Sequence, residues 1–252
     1  MKYVERKAMK IRPSGRSSDY ITPSFGFGCL YRCSYCYMRR HIKSGITIAT
    51  NTEALINAID EHLMALQWPK QPNQTHSKYY TYDFSCNEDY VKHAKYHNWE
   101  LLFDYFKDND RVMGTAATKY VNKSLLKYNP ERKVRIRFSL MPQKLSSVLE
   151  PGTSSIVELF KLVDDIVDDN IKEYVKCECI FLTHNVKMHK YNIDNNVKGE
   201  EYLWTPGKQE SKLSQFGGRN IRYSYKYKAG LKEYFIKLHN NMLPWQEIRY
   251  IF

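Results

Sequence analysis

Segments with the periodicity of a β-strand alternate with segments of helical periodicity along roughly 160 residues of this chain. The segment VRIRFSLM at 134–141 alternates cleanly between apolar and polar residues, which predicts a strand, and the apolar residues of 52–66 recur at helical spacing. Alternating strands and helices predict βαβ units around a parallel sheet, in an α/β fold. The predicted strands are 22–27, 78–85, 112–118, 134–141 and 174–182, and the predicted helices are 52–66, 99–106, a segment that ends at 126, and 154–167.

Residues with reactive or polar side chains fall where several of these strands end. Four such positions, at or just beyond the carboxyl end of a predicted strand, are Cys29, Cys86, Lys119 and Ser139. In a parallel sheet that curls toward a barrel, functional residues gather at that edge. We therefore expect these four side chains to belong to one site.

The two ends of the chain differ from this alternating region. Residues 1–20 are predicted to be an extended or partly disordered lead-in, and residues 21–215 to form the main domain. In the tail, the Gly-Gly pair of FGGRNIRYSYKY at 216–227 predicts a β-hairpin, followed by a helix near 231–242 and a short strand at 247–252. We expect residues 216–252 to be part of the same domain as the main region.

The charge balance indicates a polyanionic partner. The chain has 39 lysine and arginine residues against 27 aspartate and glutamate residues, a formal charge of +12. Such a surplus is typical of nucleic-acid binding, although a compositional bias toward Lys, Asn and Tyr would produce a similar surplus. Tyrosines interleave with basic residues in RYSYKYK at 222–228, which suits contacts to phosphates and stacking on bases, and equally suits a half-buried strand.

The sequence shows no signal for a membrane span or for secretion. No run of about 18 apolar residues occurs, so a transmembrane helix and a membrane partner are not expected. The N-terminal sequence MKYVERKAMKIRPSGR is charged and lacks an apolar core, so we expect a cytoplasmic protein. In a reducing cytoplasm, clustered cysteines are metal ligands or reactive thiols more often than disulfides.

Three cysteines crowd into one short segment, GCLYRCSYCYMRR at 28–40. Cys29, Cys33 and Cys36 have the spacing Cys-x3-Cys-x2-Cys, and an aromatic residue, Tyr35, directly precedes the last of them. Cysteine thiolates hold iron–sulfur clusters, and three of them leave one iron of a cubane open to a further ligand. This pattern is the signature of the radical S-adenosylmethionine (SAM) superfamily. A Cys3His zinc site that uses His41 is the alternative, although structural zinc sites usually space their ligand pairs more widely.

The segment CLYRCSYCY closely resembles the cluster loop of the spore photoproduct lyase family, which has the same cysteine spacing and tyrosines beside the third cysteine. Further motifs of that family recur here in the same order and at similar spacing. They are FSCNEDYVKHA, ATKYVNKSLL, RIRFSLMP, LEPGTSS, GGRNIRYSY and IRYIF, so that the resemblance spans residues 24–252.

The resemblance implies a partial (β/α)6 barrel of the TIM type with a C-terminal hairpin and helix, holding a [4Fe–4S] cluster and SAM at its mouth. In the family, the reduced cluster cleaves SAM to a 5′-deoxyadenosyl radical, which removes hydrogen from the methylene that links two thymines of the spore photoproduct. The linking bond then breaks, a cysteine returns a hydrogen atom, and SAM is regenerated. The implied partners are DNA with a damaged or modified thymine and an electron donor such as flavodoxin or ferredoxin.

The same resemblance implies roles for individual residues. Cys86 matches the hydrogen-donor cysteine, although a buried structural thiol is the common alternative for a lone cysteine. Tyr37 matches a tyrosine that relays hydrogen back toward SAM, with core packing as its alternative. The implied cofactor contacts are Cys29, Cys33 and Cys36 for the cluster, Tyr35 for the adenine of SAM, and Lys119 and Ser139 for its carboxylate and ribose.

Two departures from the family pattern fall on the substrate side. Asn87 follows the reactive cysteine where the family usually has serine, and Asn220 follows Gly-Arg where the family usually has an aromatic residue. Both leave the SAM chemistry untouched but alter the pocket for the damaged base. They join Arg219 and Arg222 of the predicted hairpin as candidate DNA contacts.

Three functions are open on the sequence. The first is a lyase that cleaves thymine dimers of the spore-photoproduct type in DNA repair. The second is a radical SAM isomerase that rearranges a substituent on the thymine 5-methyl carbon in hypermodified DNA. The third is a zinc-bearing module that binds nucleic acid without catalysis. The other possible ligands add no site, because Cys177 and Cys179 are expected in the core and His184 and His189 form no ligand pattern.

Overall fold

The computed structural model describes residues 1–14, 17–139, 141–166, 177–179, 181, 184–213 and 217–251, with the backbone alone at 42–44, 160, 163–166 and 177. Its strands are β1 (Lys2–Val4), β2 (Arg12–Pro13), β3 (Tyr20–Ile21), β4 (Gly26–Phe27), β5 (Thr47–Ala49), β6 (Tyr80–Asp83), β7 (Val112–Thr118), β8 (Val134–Phe138), β9 (Cys177–Cys179), β10 (His184–Asn185), β11 (Gln209–Leu213), β12 (Arg219–Tyr223) and β13 (Ile248–Ile251).

Helices connect most of these strands. The α-helices are α1 (Thr52–Met64), α2 (Tyr90–His93), α3 (Trp99–Asp108), α4 (Gln143–Leu149), α5 (Ile156–Ile166), α6 (Val186–Asp194), α7 (Glu200–Leu203) and α8 (Tyr225–Met242). Single turns or short runs of 3-10 helix occupy Tyr37–Ser44, Ala94–Tyr96 and Lys123–Lys127. Within the described part of the chain, no helix combines the length and hydrophobicity that crossing a bilayer requires.

The chain divides into two compact units. Cys29 lies in unit 1, whereas Cys33 and Cys36 lie in unit 2. Unit 1 comprises Met1–Arg32, His41–Gln143 and Gly152–Glu158, and unit 2 comprises Cys33–Arg40, Lys144–Pro151 and Leu159–Phe252.

Unit 1 is built around a five-stranded sheet in the order β2-β3-β6-β7-β8. β3, β6, β7 and β8 run parallel to one another, and β2 adds an antiparallel edge. Most residues of β7 are buried whichever face they point to, as expected for a parallel strand that is covered on both sides. The parallel sheet that the alternating sequence predicts is therefore confirmed.

The core of unit 1 packs against this sheet through apolar helix faces. Leu55 and Ile59 of α1 and Phe106 of α3 are fully buried in one cluster, in which the rings of Phe84 and Phe106 stack 5.7 Å apart. Gly114 of β7 lies under these rings, and a Cβ at this position would lie 2.5 Å from the Phe106 ring. A glycine is therefore required there for the sheet and the rings to approach so closely.

The N-terminal residues enter the sheets of unit 1. β1 pairs with β5 in parallel, and β4 pairs with β5 on its other side in antiparallel orientation. β2 forms the antiparallel edge of the larger sheet. Residues 2–4 and 12–13 are therefore paired strands of unit 1.

Unit 2 contains a three-stranded antiparallel sheet in the order β10-β12-β11 and a parallel pair, β9 with β13. The final strand predicted at 247–252 is confirmed as β13 over most of its length. Of the strand predicted at 174–182, β9 and residue 181 are described and the rest lies outside the described residues.

Several predicted elements of unit 1 are shorter than expected, including the strands predicted at 78–85 and 134–141, which are realised as β6 and β8. The strand predicted at 22–27 is limited to β4, because Pro23 has no N–H for a ladder and the N–H of Thr22 donates to the Asp83 carbonyl at 3.0 Å. The helix predicted up to 126 is the 3-10 turn Lys123–Lys127. The Asn122 side chain caps its start by accepting from the Ser124 N–H, and Pro130 follows soon after its end.

The hairpin predicted at 216–227 is wrong in its extent. β12 pairs backward with β11, so the first strand of the hairpin precedes the Gly-Gly pair. Tyr225 does not continue the second strand but opens α8, with Ser224 at the N-cap and the Lys228 N–H bonded to the Ser224 carbonyl at 2.9 Å. Alternating tyrosines suggested a strand, whereas the backbone carbonyl of Ser224 already accepts the first hydrogen bond of a helix.

Candidate active site

Three of the predicted site residues follow neighbouring parallel strands of unit 1. β6 ends shortly before Cys86, β7 ends directly before Lys119, and β8 ends directly before Ser139. The Ser139 N–H donates to the carbonyl of Thr118 at 2.8 Å, which places Ser139 beside the residue that precedes Lys119. These side chains therefore originate from one edge of the sheet, the edge at which parallel α/β folds bind ligands.

Asp89 connects the segment after Cys86 to the end of β7. Its side chain caps α2 by accepting from the Lys92 N–H at 3.0 Å. The same carboxylate accepts from the Thr118 hydroxyl at 2.7 Å and from the Lys119 N–H at 2.9 Å. Because Asp89 is buried, these charge-assisted hydrogen bonds hold the backbone of Lys119 in place.

Cys86 is half-buried on a tightly held turn. Before it, the Ser85 hydroxyl donates to the Ala117 carbonyl at 3.1 Å. After it, Asn87 has a φ of 67°, a left-handed conformation that asparagine tolerates better than most residues. The Asn87 amide donates to the Ser24 hydroxyl at 2.7 Å, so this predicted DNA contact has a partner inside the protein. The turn orients the Cys86 thiol without enclosing it.

The turn of Cys86 is bonded directly to the residue before Cys29, the first of the predicted cluster ligands. The Gly28 N–H donates to the Asn87 carbonyl at 3.0 Å, which ties the backbone next to Cys29 to the backbone next to Cys86. Gly28 has a φ of 99°, a conformation that favours glycine. One residue further, the Leu30 N–H approaches His93 Nε2 at 3.4 Å. The structure thus brings together Cys29 and Cys86, which lie far apart in the sequence.

His93 belongs to a buried network that the sequence did not predict. His93 Nδ1 lies 3.2 Å and His97 Nε2 lies 2.8 Å from one oxygen of Glu88, whose side chain is fully enclosed. Burial alone would raise the pKa of Glu88, but the hydrogen bonds from His93 and His97 outweigh it and hold that pKa below 4.5. A Cβ on Gly26 would collide with the Glu88 carboxylate at 2.4 Å, so the neighbouring strand has adapted to this ionised group.

Glu88→Gln is expected to weaken the pH dependence of stability. A depressed pKa in the folded state means that ionised Glu88 stabilises the fold above pH 4.5 and that this contribution is lost as the pH falls below that value. The wild-type free energy of unfolding should therefore decrease from about pH 5 to about pH 3 more steeply than that of the variant. At pH 7 the variant should be less stable by about 2–4 kcal/mol, because a buried ionic acceptor is lost.

Urea titrations of the metal-free protein across this pH range measure both effects. Glu61→Gln, which alters an exposed carboxylate on α1, is the matched control and should follow the wild-type curve. Parallel curves for Glu88→Gln and wild type would contradict the role assigned to the buried carboxylate.

The second half of the cysteine segment folds into a turn of unit 2. The Cys36 N–H donates to the Cys33 carbonyl at 3.1 Å, which brings the Cα atoms of the two cysteines within about 7 Å. Between them, the Ser34 N–H donates to the Leu149 carbonyl at 2.8 Å, and the Ser34 carbonyl accepts from the Asn192 amide at 2.7 Å. Two thiols on one preformed turn fit adjacent ligands of an iron–sulfur cluster.

Tyr35 is held inside this turn by Glu150. Its hydroxyl donates to Glu150 Oε1, and burial raises the tyrosine pKa far above its usual value, with further increases from the charges of Glu150, Cys33 and Cys36. Tyr35 is therefore a hydrogen-bond donor at every accessible pH. Tyr37 opens the following 3-10 helix with its side chain 43% exposed, so it is not a core residue. The SAM contact of Tyr35 and the hydrogen relay by Tyr37 stay predictions.

The three predicted DNA contacts on β12 differ in their exposure and in their partners. Arg219 is exposed at the start of β12. Arg222 instead folds back and donates to the Leu213 carbonyl at 3.0 Å, while Asn220 accepts from the Asn185 amide at 3.3 Å. Arg219 is therefore the most accessible of the three, and their contacts with DNA stay predictions.

Several residues that position the site were not identified in the sequence. Asp89, Glu88 and His93 lie in the quoted segment FSCNEDYVKHA, and Glu150 opens the EPG of LEPGTSS. An acidic residue directly before a short helix is a signal for a cap, which identifies Asp89 in retrospect. The partners of Glu88 and Glu150 are set by tertiary structure, so no local pattern indicates them.

Comparisons with known proteins place this geometry in context. A family model described as spore photoproduct lyase matches residues 3–170. A solved spore photoproduct lyase complexed with dinucleoside spore photoproduct is 16% identical, covers 99% of this chain and 82% of its own, and superposes with a TM-score of 0.81. A spore photoproduct lyase variant with bound AdoMet and dinucleoside spore photoproduct is 15% identical, with coverages of 99% and 82% and a TM-score of 0.76. A comparison with curated proteins finds no match.

Proposed function

This chain belongs to the spore photoproduct lyase family, and from that premise we propose that it is a radical SAM enzyme that cleaves a thymine dimer of the spore-photoproduct type in DNA. The observation that carries the proposal is the hydrogen bond between Gly28 and Asn87. It joins the backbone beside a cluster cysteine to the backbone beside the hydrogen-donor cysteine. A substrate that lies between the cluster and Cys86 therefore has only a short distance to span.

The residues present fit the two cofactors. Cys29, Cys33 and Cys36 would hold a [4Fe–4S] cluster, with SAM as the ligand of the remaining iron. When both are bound and the cluster is reduced, they supply a 5′-deoxyadenosyl radical. Lys119 would hold the SAM carboxylate with its ammonium group, and the positions of Lys119 and Ser139 side by side at the strand ends support this assignment. We also infer that the parallel strands of unit 1 are part of a partial (β/α)6 barrel.

Cys86 would complete the reaction on the substrate. After hydrogen is removed from the methylene bridge and the bridging bond breaks, one thymine carries a carbon radical. A half-buried thiol next to the substrate can donate a hydrogen atom to it, because the S–H bond is weaker than the C–H bond that forms. Tyr37, exposed on the cysteine segment, is the proposed relay that returns hydrogen toward SAM.

The substrate is proposed from the family, the charge and the solved relatives. Dinucleoside spore photoproduct is the ligand of the relatives that match this fold, and a formal charge of +12 suits a DNA duplex or strand. A small reduced redox protein such as ferredoxin or flavodoxin is the proposed electron donor. An isomerase acting on a substituted thymine 5-methyl carbon is the second candidate, because Asn87 and Asn220 replace family residues on the substrate side.

Anaerobic reconstitution with iron and sulfide tests the radical SAM assignment. The expected product is a brown protein with about four irons per chain that forms 5′-deoxyadenosine from SAM when dithionite is added. A colourless protein that holds one zinc at the cysteines and no iron would refute both enzymatic functions and leave a nucleic-acid-binding module. DNA substrates then separate lyase from isomerase, since only the lyase restores thymine from the photoproduct.

Arg219→Ala is expected to weaken DNA binding by about three- to tenfold and to reduce the salt dependence by about one counterion. The physical reason is the loss of one exposed cation at the start of β12. Fluorescence anisotropy with a labelled duplex at several salt concentrations measures both values. Lys127→Ala, an exposed cation outside the hairpin, is the matched control. Equal affinities for Arg219→Ala and wild type would remove the hairpin from DNA recognition.

A further inference from the structure

Unit 2 brings together two histidines and a glutamate that the cofactor chemistry does not use. The sequence predicted no ligand pattern for His184 and His189, whereas the structure places both beside Glu200. His184 begins β10, His189 lies on α6, and Glu200 begins α7. One ligand atom from each of the three side chains lies within 4.8 Å of the other two. Three short elements thus place these groups around one point.

The separation of His184 from Glu200 is near that of two ligands of one metal ion, whereas His189, which lies closer to Glu200, would move outward when an ion binds. His184 Nε2 lies 3.0 Å from Glu200 Oε1, and His189 Nδ1 contacts the same oxygen. Around a tetrahedral zinc with bonds of about 2.0–2.2 Å, ligand atoms lie about 3.3 Å apart. The two imidazole rings are nearly perpendicular, at 83°, with their centroids 6.1 Å apart, and each presents a nitrogen to Glu200 Oε1. We propose that His184, His189 and Glu200 bind Zn²⁺, with water as the fourth ligand.

The charge of Glu200 supports a cation at this point. Its side chain is 9% exposed, and among the described residues its hydrogen-bond partners are His184, His189 and Asn192. No lysine or arginine of the described chain forms an ion pair with it. A buried carboxylate is stable when a positive charge balances it, and an imidazole supplies that charge only when it is protonated. A divalent ion balances it while both histidines are neutral.

Asn192 provides the outer support that metal-binding carboxylates usually have. Its amide donates at 2.5 Å to Glu200 Oε2, whereas the histidines contact Oε1, and at 2.7 Å to the Ser34 carbonyl. Asn192 is completely buried, so this orientation is fixed. Because Ser34 follows Cys33, a metal that fixes Glu200 would also stabilise the turn of Cys33 and Cys36. The proposed zinc would therefore support the turn that carries two of the predicted cluster cysteines, while its fourth position stays open to water.

Solvent access distinguishes the proposed zinc site from a second cluster of two histidines and a glutamate in unit 1. His189 is 29% exposed at its side chain, which leaves a path for the ion and room for a water ligand. In the cluster of Glu88, His93 and His97, the side chains are at most 1% exposed, and His93 Nε2 faces the Leu30 N–H. A fully enclosed group with one ring nitrogen already engaged suits a positioning network rather than a metal site.

Metal analysis of the cluster-loaded protein tests the proposal. The protein is reconstituted anaerobically, supplied with about one equivalent of Zn²⁺, gel-filtered and analysed for zinc and iron. We expect about one zinc beside about four irons per chain in the wild type. In His189→Gln and Glu200→Gln the zinc should fall at least about fivefold, whereas the iron should fall far less because Cys29, Cys33 and Cys36 are retained. His239→Gln, which removes another buried histidine of unit 2, should keep its zinc.

Zinc K-edge X-ray absorption separates this site from zinc at the cysteines. Nitrogen and oxygen ligands at about 2.0–2.2 Å support the proposal, whereas sulfur at about 2.3 Å would place the metal on thiolates and overturn it. Wild-type protein that retains no zinc, or variants that retain as much as wild type, would overturn it as well. Iron content and 5′-deoxyadenosine formation are read from the same samples. A failure of the zinc site is therefore distinguishable from a failure of the proposed enzymatic function.

Discussion

Cys33→Ala should abolish SAM cleavage, with 5′-deoxyadenosine formation reduced by at least about a thousandfold, equivalent to about 4 kcal/mol. Cys33 starts the turn that ends at Cys36, and its side chain is 5% exposed. Without its thiolate, two ligands remain and a cubane cannot be held with only one open iron. Iron and sulfide analysis, electron paramagnetic resonance of the reduced protein and chromatography of 5′-deoxyadenosine measure the loss.

A second cysteine controls for the loss of a thiol as such. Cys179→Ala alters a half-buried thiol on β9 in the same unit and should keep wild-type iron content and SAM cleavage. Because Cys33 is buried, Cys29→Ala, at a half-buried position, repeats the test with less risk to folding. Full iron loading and SAM cleavage in either ligand variant would refute the cluster assignment.

Cys86→Ala should separate radical formation from product formation. SAM cleavage should continue, because Cys86 is not a cluster ligand, whereas clean conversion of the photoproduct to thymine should fall by about a hundredfold, or about 2.7 kcal/mol. Without the hydrogen donor, the substrate radical persists and is quenched by other reagents. Liquid chromatography with mass spectrometry of digested DNA should therefore show side products in place of thymine.

Cys179→Ala again serves as the control and should form thymine at the wild-type rate. Normal turnover by Cys86→Ala would show that another group returns the hydrogen. Loss of both activities would instead indicate that the turn between Ser85 and Asn87 depends on the thiol for its shape, and the unfolding midpoint of the variant would distinguish this outcome.

The fold of unit 1 was largely predictable because its signals are local. β7 coincides with the strand predicted at 112–118, and α1 and α3 follow the predicted helical spacing closely. Parallel strands that are buried on both faces and amphipathic helices have periodicities that a single sequence displays. The shortened strand at β4 could also have been anticipated, since Pro23 lies in its middle.

The site was predictable only in part. The cysteine spacing and the strand ends indicated Cys29, Cys86, Lys119 and Ser139, because these follow sequence patterns. The residues that hold Lys119 and Tyr35, which are Asp89 and Glu150, act through contacts between segments distant in sequence. The cluster of His184, His189 and Glu200 was missed for the same reason, since its members come from three different elements. The strand pairing of the hairpin was mispredicted for a similar reason, because β12 pairs with β11, which precedes the Gly-Gly pair.

The most direct measurement is the fate of the photoproduct itself. An oligonucleotide with one spore photoproduct is incubated anaerobically with the reconstituted protein, SAM and dithionite, then digested and analysed by mass spectrometry. The proposed function predicts that the photoproduct disappears and two thymidines appear for each lesion, only when SAM and reductant are both present. An unchanged photoproduct, with 5′-deoxyadenosine formed instead on DNA that carries a substituted thymine methyl group, would contradict it.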